Sequence, residues 1–351
     1  MARSSSIRDS VLTMAGILII LFAVQTAKGL VVPFLLSLFI AVVITVPVGW
    51  MRQHGLSTFF AVAVVLIATL FFETGVALIL GKSIAQFNQA MPEYQARLSA
   101  IINGLANWLA TYDIDLSDSG ISEALNPSLV LNFANTFMAG LGSTLSNFLL
   151  IMFTVFFMLL EIRQLPLKIQ AIDKVNGGTL LEKSTTILES TKQYIALKTL
   201  TSLLTGVLIT GGLYLIGLDF ASLWGFLAFV LNFIPNIGSF LAAAPAVLLA
   251  CLQLAPMEIA VVIVLYLLVN MVVGNVIEPT VMGQKVGLST LAVFMSLIFW
   301  GWLLGPVGML LSIPLTMVIK YTAEANDQTR WLAILLASAP PPIEKEEEEE
   351  Q

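Results

Sequence analysis

Residues 220–255 read FASLWGFLAFVLNFIPNIGSFLAAAPAVLLACLQLA, without one charged side chain. As a single straight α-helix this stretch would be about 54 Å long, against a bilayer hydrocarbon core of about 30 Å. Pro235-Asn236-Ile237-Gly238 divides it, because proline removes a backbone donor and glycine tolerates the turn. The spacing predicts helical pieces near 222–234 and 239–254. A second long apolar run, 288–320, is divided in the same manner by Gly305-Pro306-Val307-Gly308. Another proline follows each break, Pro245 in the first run and Pro314 in the second. Aromatic residues precede both: Trp224, Phe226 and Phe229, then Phe294, Phe299, Trp300 and Trp302.

A break inside an apolar run has physical consequences. It frees backbone N–H and C=O groups that hydrocarbon cannot satisfy, so the break must face protein, water or a ligand. It also creates half-helix N-termini, expected near Ser239 and Met309, whose dipoles favour negative charge. Paired Gly/Pro-interrupted segments mark the binding region of many secondary transporters. The alternative is two proline kinks in ordinary membrane spans. Two similarly built segments favour re-entrant hairpins at 220–255 and 288–320.

Composition agrees with a membrane protein. Hydrophobic residues make up 58% of the 351-residue chain and charged residues 11%, whereas soluble domains carry about 25% charged residues. The fold class expected is all-α and polytopic, with the lipid bilayer as its solvent. One histidine, His54, and one cysteine, Cys251, cannot build a metal cage, a Cys/His catalytic pair or a disulfide framework. No metal, cofactor or enzymatic site is expected. Of the net charge of −6, six Glu and one Lys in the last eleven residues contribute −5. Without a basic stripe, nucleic acid is excluded as a partner.

Outward from the two broken runs, further apolar runs occupy 11–27, 30–49, 58–81, 144–162, 199–217 and 258–274. Together they make eight hydrophobic units. The first has no clear small-x-small cleavage site and reads as a retained span. Six regions follow. Residues 1–81 form three transmembrane helices, and 82–143 an extracytoplasmic amphipathic helical insert. Residues 144–162 are a fourth span and 163–198 a cytoplasmic helical connection. The transport region is 199–320, and 321–351 is a cytoplasmic tail. With the N-terminus inside and eight crossings, twelve Lys and Arg fall inside and four outside, which places both termini in the cytoplasm. If the two broken runs are hairpins, Lys285 moves inside and the count becomes thirteen to three.

Polar residues at membrane depth are costly, about 2.5–3.5 kcal/mol for a charge on insertion scales. Glu278, in Asn275-Val276-Ile277-Glu278-Pro279, is a candidate to hold a coupling ion (H+ or Na+) or a polar substrate. Its bland reading is an interfacial loop carboxylate, capping or paired with Lys285. Glu73 in the third run reads either as functional or as a snorkelling side chain. Asn232, Asn236, Asn270 and Asn275 offer amides that can contact substrate or join helices.

These same residues carry a resemblance. Asn232-Phe233-Ile234-Pro235-Asn236-Ile237-Gly238-Ser239, then Gly274-Asn275-Val276-Ile277-Glu278-Pro279 with Met282-Gly283 and Gly287-Leu288-Ser289, resemble the autoinducer-2 exporter family. So does the run from Phe299 to Met309 that closes on Pro314-Leu315-Thr316. The likeness covers nearly the whole chain. It implies a bacterial inner-membrane exporter of a small polar furanone-type signal. It also implies a homopentamer and an elevator-like transport region. Other members are sodium (lithium)/proton antiporters, so the resemblance leaves the substrate open. The substrate route expected comprises Asn232, Pro235, Asn236, Gly238, Ser239, Asn270, Asn275, Glu278, Pro279, Gly283, Lys285, Gly305, Pro306 and Gly308. The chain departs from many members at Gln284-Lys285, where they have an arginine; lysine keeps the charge but not the planar fork. An intramembrane enzyme and a structural or assembly protein are the rival classes.

Overall fold

The computed structural model describes residues 2–112, 148–161, 164, 167–168, 170–171, 180–235, 237–282, 287–325 and 328–339. The described chain is helical apart from turns and one isolated antiparallel bridge between Leu288 and Ala337. The first helices are α1 (Ala2–Thr26), α2 (Lys28–Gln53), α3 (Thr58–Ala110) and α4 (Phe148–Glu161). The long helix α5 (Leu180–Ile216) leads into α6 (Ala221–Leu231) and α7 (Gly238–Gln253). After α8 (Pro256–Val269) the chain winds as a π-helix over Asn270–Ile277 and returns to α geometry in α9 (Glu278–Met282). The last elements are α10 (Thr290–Leu304), α11 (Pro306–Leu310), α12 (Ser312–Glu324) and α13 (Arg330–Leu336).

Among the described residues, four helical stretches are long and apolar enough to cross a membrane: Lys28–Gln53, Thr58–Ile101, Glu189–Ile216 and Pro256–Val281. Shorter apolar helices include Ala221–Leu231, Gly238–Gln253 and Thr290–Leu304. The chain is a polytopic helical membrane protein. Its outward faces carry Phe59, Phe71, Leu78, Phe153, Tyr214 and Leu215, all more than 60% exposed. Such a surface suits lipid tails and would be an aggregation liability in water.

Helix α3 runs through residue 81 without a break, although hydropathy falls there. Gly81 stands alone, and the residues after it (Ser83, Ala85, Gln86, Gln89, Ala90, Met91) sustain a helix. The third apolar run and the start of the expected insert are therefore one helix, about 80 Å long by its 53 residues. The expected break at Asn176-Gly177-Gly178 and the loop beginning at Asp113 lie outside the described residues.

Three apolar clusters organise the packing. The largest joins Leu80, Phe87 and Tyr94 of α3 to Leu213 of α5, Trp224 and Leu227 of α6, Ala246 of α7 and Val262 of α8. A second joins α2, α3 and α4 through Ile44, Val62 and Val155. There the buried Ser37 hydroxyl donates to Pro33 O at 2.7 Å and to Ile151 O at 3.2 Å. The third brings Tyr194 and Ile195 of α5 against Leu288, and Ile313 and Met317 of α12, with Phe39 of α2 alongside.

Helix α5 is central to the packing, with α2, α6, α8, the π-helix, α9 and α12 all set against it. Its neighbour α6 crosses so closely that a Cβ at Gly225 would lie 1.7 Å from Thr210 Oγ1 and 2.7 Å from Gly206 O. Only a glycine permits that approach. The α6–α7 pair leaves the chain at the C-terminal end of α5, after Gly217. The Leu288 end of the second interrupted segment instead packs near Tyr194, about 34 Å back along α5 at 1.5 Å per residue. The two interrupted segments thus have their bases toward opposite ends of one helix.

Candidate functional site

The first break lies between α6 and α7, at Asn232–Ile237, and most of its amides are satisfied within the turn. Asn232 N donates to Ala228 O (3.0 Å), Phe233 N to Val230 O (3.3 Å), Ile234 N to Leu231 O (2.8 Å) and Gly238 N to Ile234 O (3.2 Å). The expectation that these groups need an outside partner is therefore modified: the turn supplies several of the partners itself. Helix α7 begins at Gly238, one residue earlier than the spacing predicts. A Cβ there would sit 1.8 Å from Leu231 O, so the second arm starts pressed against the end of the first.

In the second break, Gly305 adopts φ 75 between α10 and α11. The chain restarts at Pro306 and again at Ser312. Met309 lies inside α11 and is no helix start. Gly308 repeats the arrangement of Gly238, since a Cβ there would lie 1.9 Å from Trp300 O. Trp300 Nε1 also donates to Thr316 Oγ1 at 3.0 Å, linking the two arms.

Between these breaks, α5 presents a buried polar face. Tyr194, Lys198, Thr201, Ser202 and Thr205 recur at three- and four-residue spacing, which places them on one side of a helix. Thr201 Oγ1 donates to Lys198 O (3.1 Å) and Thr205 Oγ1 to Thr201 O (3.0 Å), so these hydroxyls are satisfied along the helix. Asn232, at the first break, donates through Nδ2 to Ser202 Oγ at 3.0 Å. One turn away, the Lys198 ammonium donates to both Oε1 and Oε2 of Glu278 at 2.8 Å each. The lysine side chain is 6% exposed and the glutamate 22%.

The pair owes its geometry to the π-helix. Glu278 N donates to Val273 O, five residues back, at the point where α winding resumes. Each wide turn alters the angular position of every later residue, and such segments concentrate at functional sites. Both the π-helix and α9 pack on α5. Glu278 is therefore helical, which corrects the loop reading, and among the described residues its ion-pair partner is Lys198; Lys285 lies outside them.

A cavity of about 380 Å³ lies at the first break. Pro235 and Ile237 line one wall, and Thr290, Leu291, Val293, Phe294 and Leu297 the other. It therefore joins the first break to the start of α10. Its walls are mostly apolar, and Ser289 stabilises α10 beside it by accepting a hydrogen bond from Ala292 N at 3.1 Å.

Of the residues singled out in the sequence, Asn232 and Glu278 bind side chains of α5, and Pro235 lines the cavity. Gly238 packs beneath the first turn, with Ser239 half-buried in the first turn of α7. Asn270 is half-buried at the start of the π-helix, whereas Asn275 and Pro279 are exposed. Gly305, Pro306 and Gly308 form the other break. Asn236, Gly283 and Lys285 lie outside the described residues. Glu73 Oε2 is buried without a hydrogen-bond partner among the described residues. Sequence reasoning missed Lys198 and Ser202. The available signal was an ammonium directly abutting the apolar run 199–217, in helical register with Tyr194 and Ser202. Among the described residues no three His, Cys, Asp or Glu side chains gather as a metal centre requires.

Comparison with known proteins gives a consistent outcome. The model of the AI-2E family transporter matches residues 11–327. The chain is 37% identical over 326 residues to YhhT of Escherichia coli K12, a provisionally named transport protein, covering 93% of each chain. It is 36% identical over 329 residues to the AI-2 transport protein TqsA of the same organism, covering 93% of this chain and 95% of that one. A provisionally named transport protein of Haemophilus influenzae Rd is 38% identical over 344 residues, covering 96% of this chain and 98% of its own length.

Proposed function

The chain belongs to the AI-2E transporter family, and on that premise we propose that it exports a small polar signal, autoinducer-2, across the bacterial inner membrane. The observation that carries this reading is the convergence on α5. Asn232 of the first break and Glu278 bind α5 one turn apart, at Ser202 and Lys198, and a cavity runs from Pro235 and Ile237 of that break to the start of α10. Ionisable groups at that depth are costly and mark substrate or ion routes. The likeness to an AI-2 transport protein over nearly the full length supports the choice of signal.

The mechanism is alternating access. Both termini are cytoplasmic in this reading, which the excess of Lys and Arg on the inner side supports. The α6–α7 hairpin dips in from outside and the α10–α12 hairpin from inside. Their bases at opposite ends of α5 support this inverted entry, and α6, at 11 residues, spans only about half the core. The cavity holds the solute between its apolar walls while Thr290 and the backbone at Pro235 offer polar contacts. Elevator-like displacement of this region, within a homopentamer, follows the family resemblance.

Signal partition between cells and medium tests the proposal. A deletion strain is expected to retain the signal several-fold more than wild type. Complementation with the wild-type chain restores export, and complementation with Glu278→Gln does not. An unchanged partition in the deletion strain would falsify signal export. The rival within transport is Na+(Li+)/H+ antiport at Glu278, with Glu73 as a second carboxylate. Proteoliposomes that dissipate a pH gradient on Na+ addition, yet leave labelled autoinducer-2 unmoved, would decide for it. A wild-type chain that moves neither the signal nor cations points to a structural or assembly role.

A further inference from the structure

The geometry points to Lys198 as a built-in counter-cation: its ammonium fills the place at Glu278 that a monovalent metal cation would take, so this carrier needs no Na+ at that carboxylate. The inference rests on the transport reading above and specifies its ion dependence. Three observations carry it. First, the ammonium is held by both carboxylate oxygens at 2.8 Å, so the carboxylate is already neutralised. Adding Na+ would place two positive charges on one carboxylate at low dielectric, where like charges repel strongly. Second, Na+ can enter only by expelling the ammonium, and Lys198 is 6% exposed, with Glu278 as its one side-chain partner among the described residues. Expulsion would leave an unpaired buried cation, a state that is strongly disfavoured. Third, the ammonium stands on a continuous helix packed against the π-helix and α9. It is therefore pre-positioned rather than recruited from solution, and a well-oriented intramolecular group outcompetes a dissolved one.

Replacing Lys198 should expose the site that its ammonium occupies. Lys198→Gln and Lys198→Met remove the charge, the second while keeping an apolar stem of similar length that suits the buried path. The test is thermal unfolding of the purified full chain in NaCl against choline chloride at equal ionic strength. The wild-type midpoint is expected to be the same in both salts. Both Lys198 variants should unfold about 2–4 °C higher in NaCl, through cation binding to the folded state. Lys198→Gln/Glu278→Gln should lose that difference. A wild-type chain stabilised by NaCl over choline, with the effect abolished in Glu278→Gln, overturns the inference. So does a folded Lys198 variant that ignores Na+. If only one variant folds, that one decides. Failure of signal export in cells leaves this result untouched, because unfolding reads the cation alone.

Discussion

The two interrupted segments share a joint and differ in what holds them. In each, a glycine at the beginning of the second arm presses on a carbonyl oxygen near the end of the first: Gly238 on Leu231, Gly308 on Trp300. The base of the first segment is fastened to the scaffold. Gln253 accepts from Asp219 N (2.9 Å) and donates to Gly217 O (3.0 Å), closing the two ends together. Tyr94 of α3 donates to Asp219 Oδ2 at 2.9 Å, and Arg97 to Leu252 O at 3.1 Å. The second segment is fastened to its own downstream chain. Ser289 N donates to Leu336 O (2.9 Å), Ser338 N to Gly287 O (3.2 Å) and Lys320 Nζ to the same carbonyl (2.9 Å). One hairpin is built into the framework, while the other carries its own clasp, α13.

The largest effect expected concerns the polar face of α5 between them. Glu278→Leu leaves the Lys198 ammonium buried and unpaired, which should cost about 3–5 kcal/mol. Thermal unfolding in detergent measures this, and a neutral result would show that the pair does not join the halves. Next come the matched glycines. Gly238→Ala and Gly308→Ala each force a backbone shift worth about 1–3 kcal/mol, and a large difference between them would break the equivalence of the two joints. Smaller effects separate the fastenings. Asn232→Ala removes the bond to Ser202 and Trp300→Phe the bond to Thr316, each worth about 0.5–1.5 kcal/mol. Hydrogen exchange should rise around residues 202 and 232 in the former, and between α10 and α12 in the latter. The most local readout comes from truncation after Ala325. It removes the Leu336 acceptor, so the Ser289 amide should lose protection while residues 217–221 keep theirs.

What could be read from the sequence divides along the range of the interaction. Both breaks were legible because proline and glycine act within a turn of themselves. The helical pieces appear at 221–231 and 238–253, close to their expected limits. The partner of Glu278 was not legible, because Lys198 is 80 residues away and sits where a polar connection is expected. The π-helix was equally hidden, since the Asn270–Ile277 composition suits an ordinary α-helical span. Continuity of α3 past residue 81 was missed for another reason. A fall in hydropathy marks where the bilayer ends, whereas helix termination needs a capping or breaking residue.

The glycine joints restrict how either hairpin can respond to a solute. With Gly238 and Gly308 set against carbonyl oxygens, the two arms of each segment already stand at closest approach and have no room to close further. The chain enters each base through a left-handed glycine, Gly217 (φ 84) and Gly287 (φ 59), whose carbonyl is tied down by Gln253 in the first and by Ser338 and Lys320 in the second. These two residues occupy backbone conformations that other side chains resist, so a substitution at either one strains the base that its carbonyl fastens.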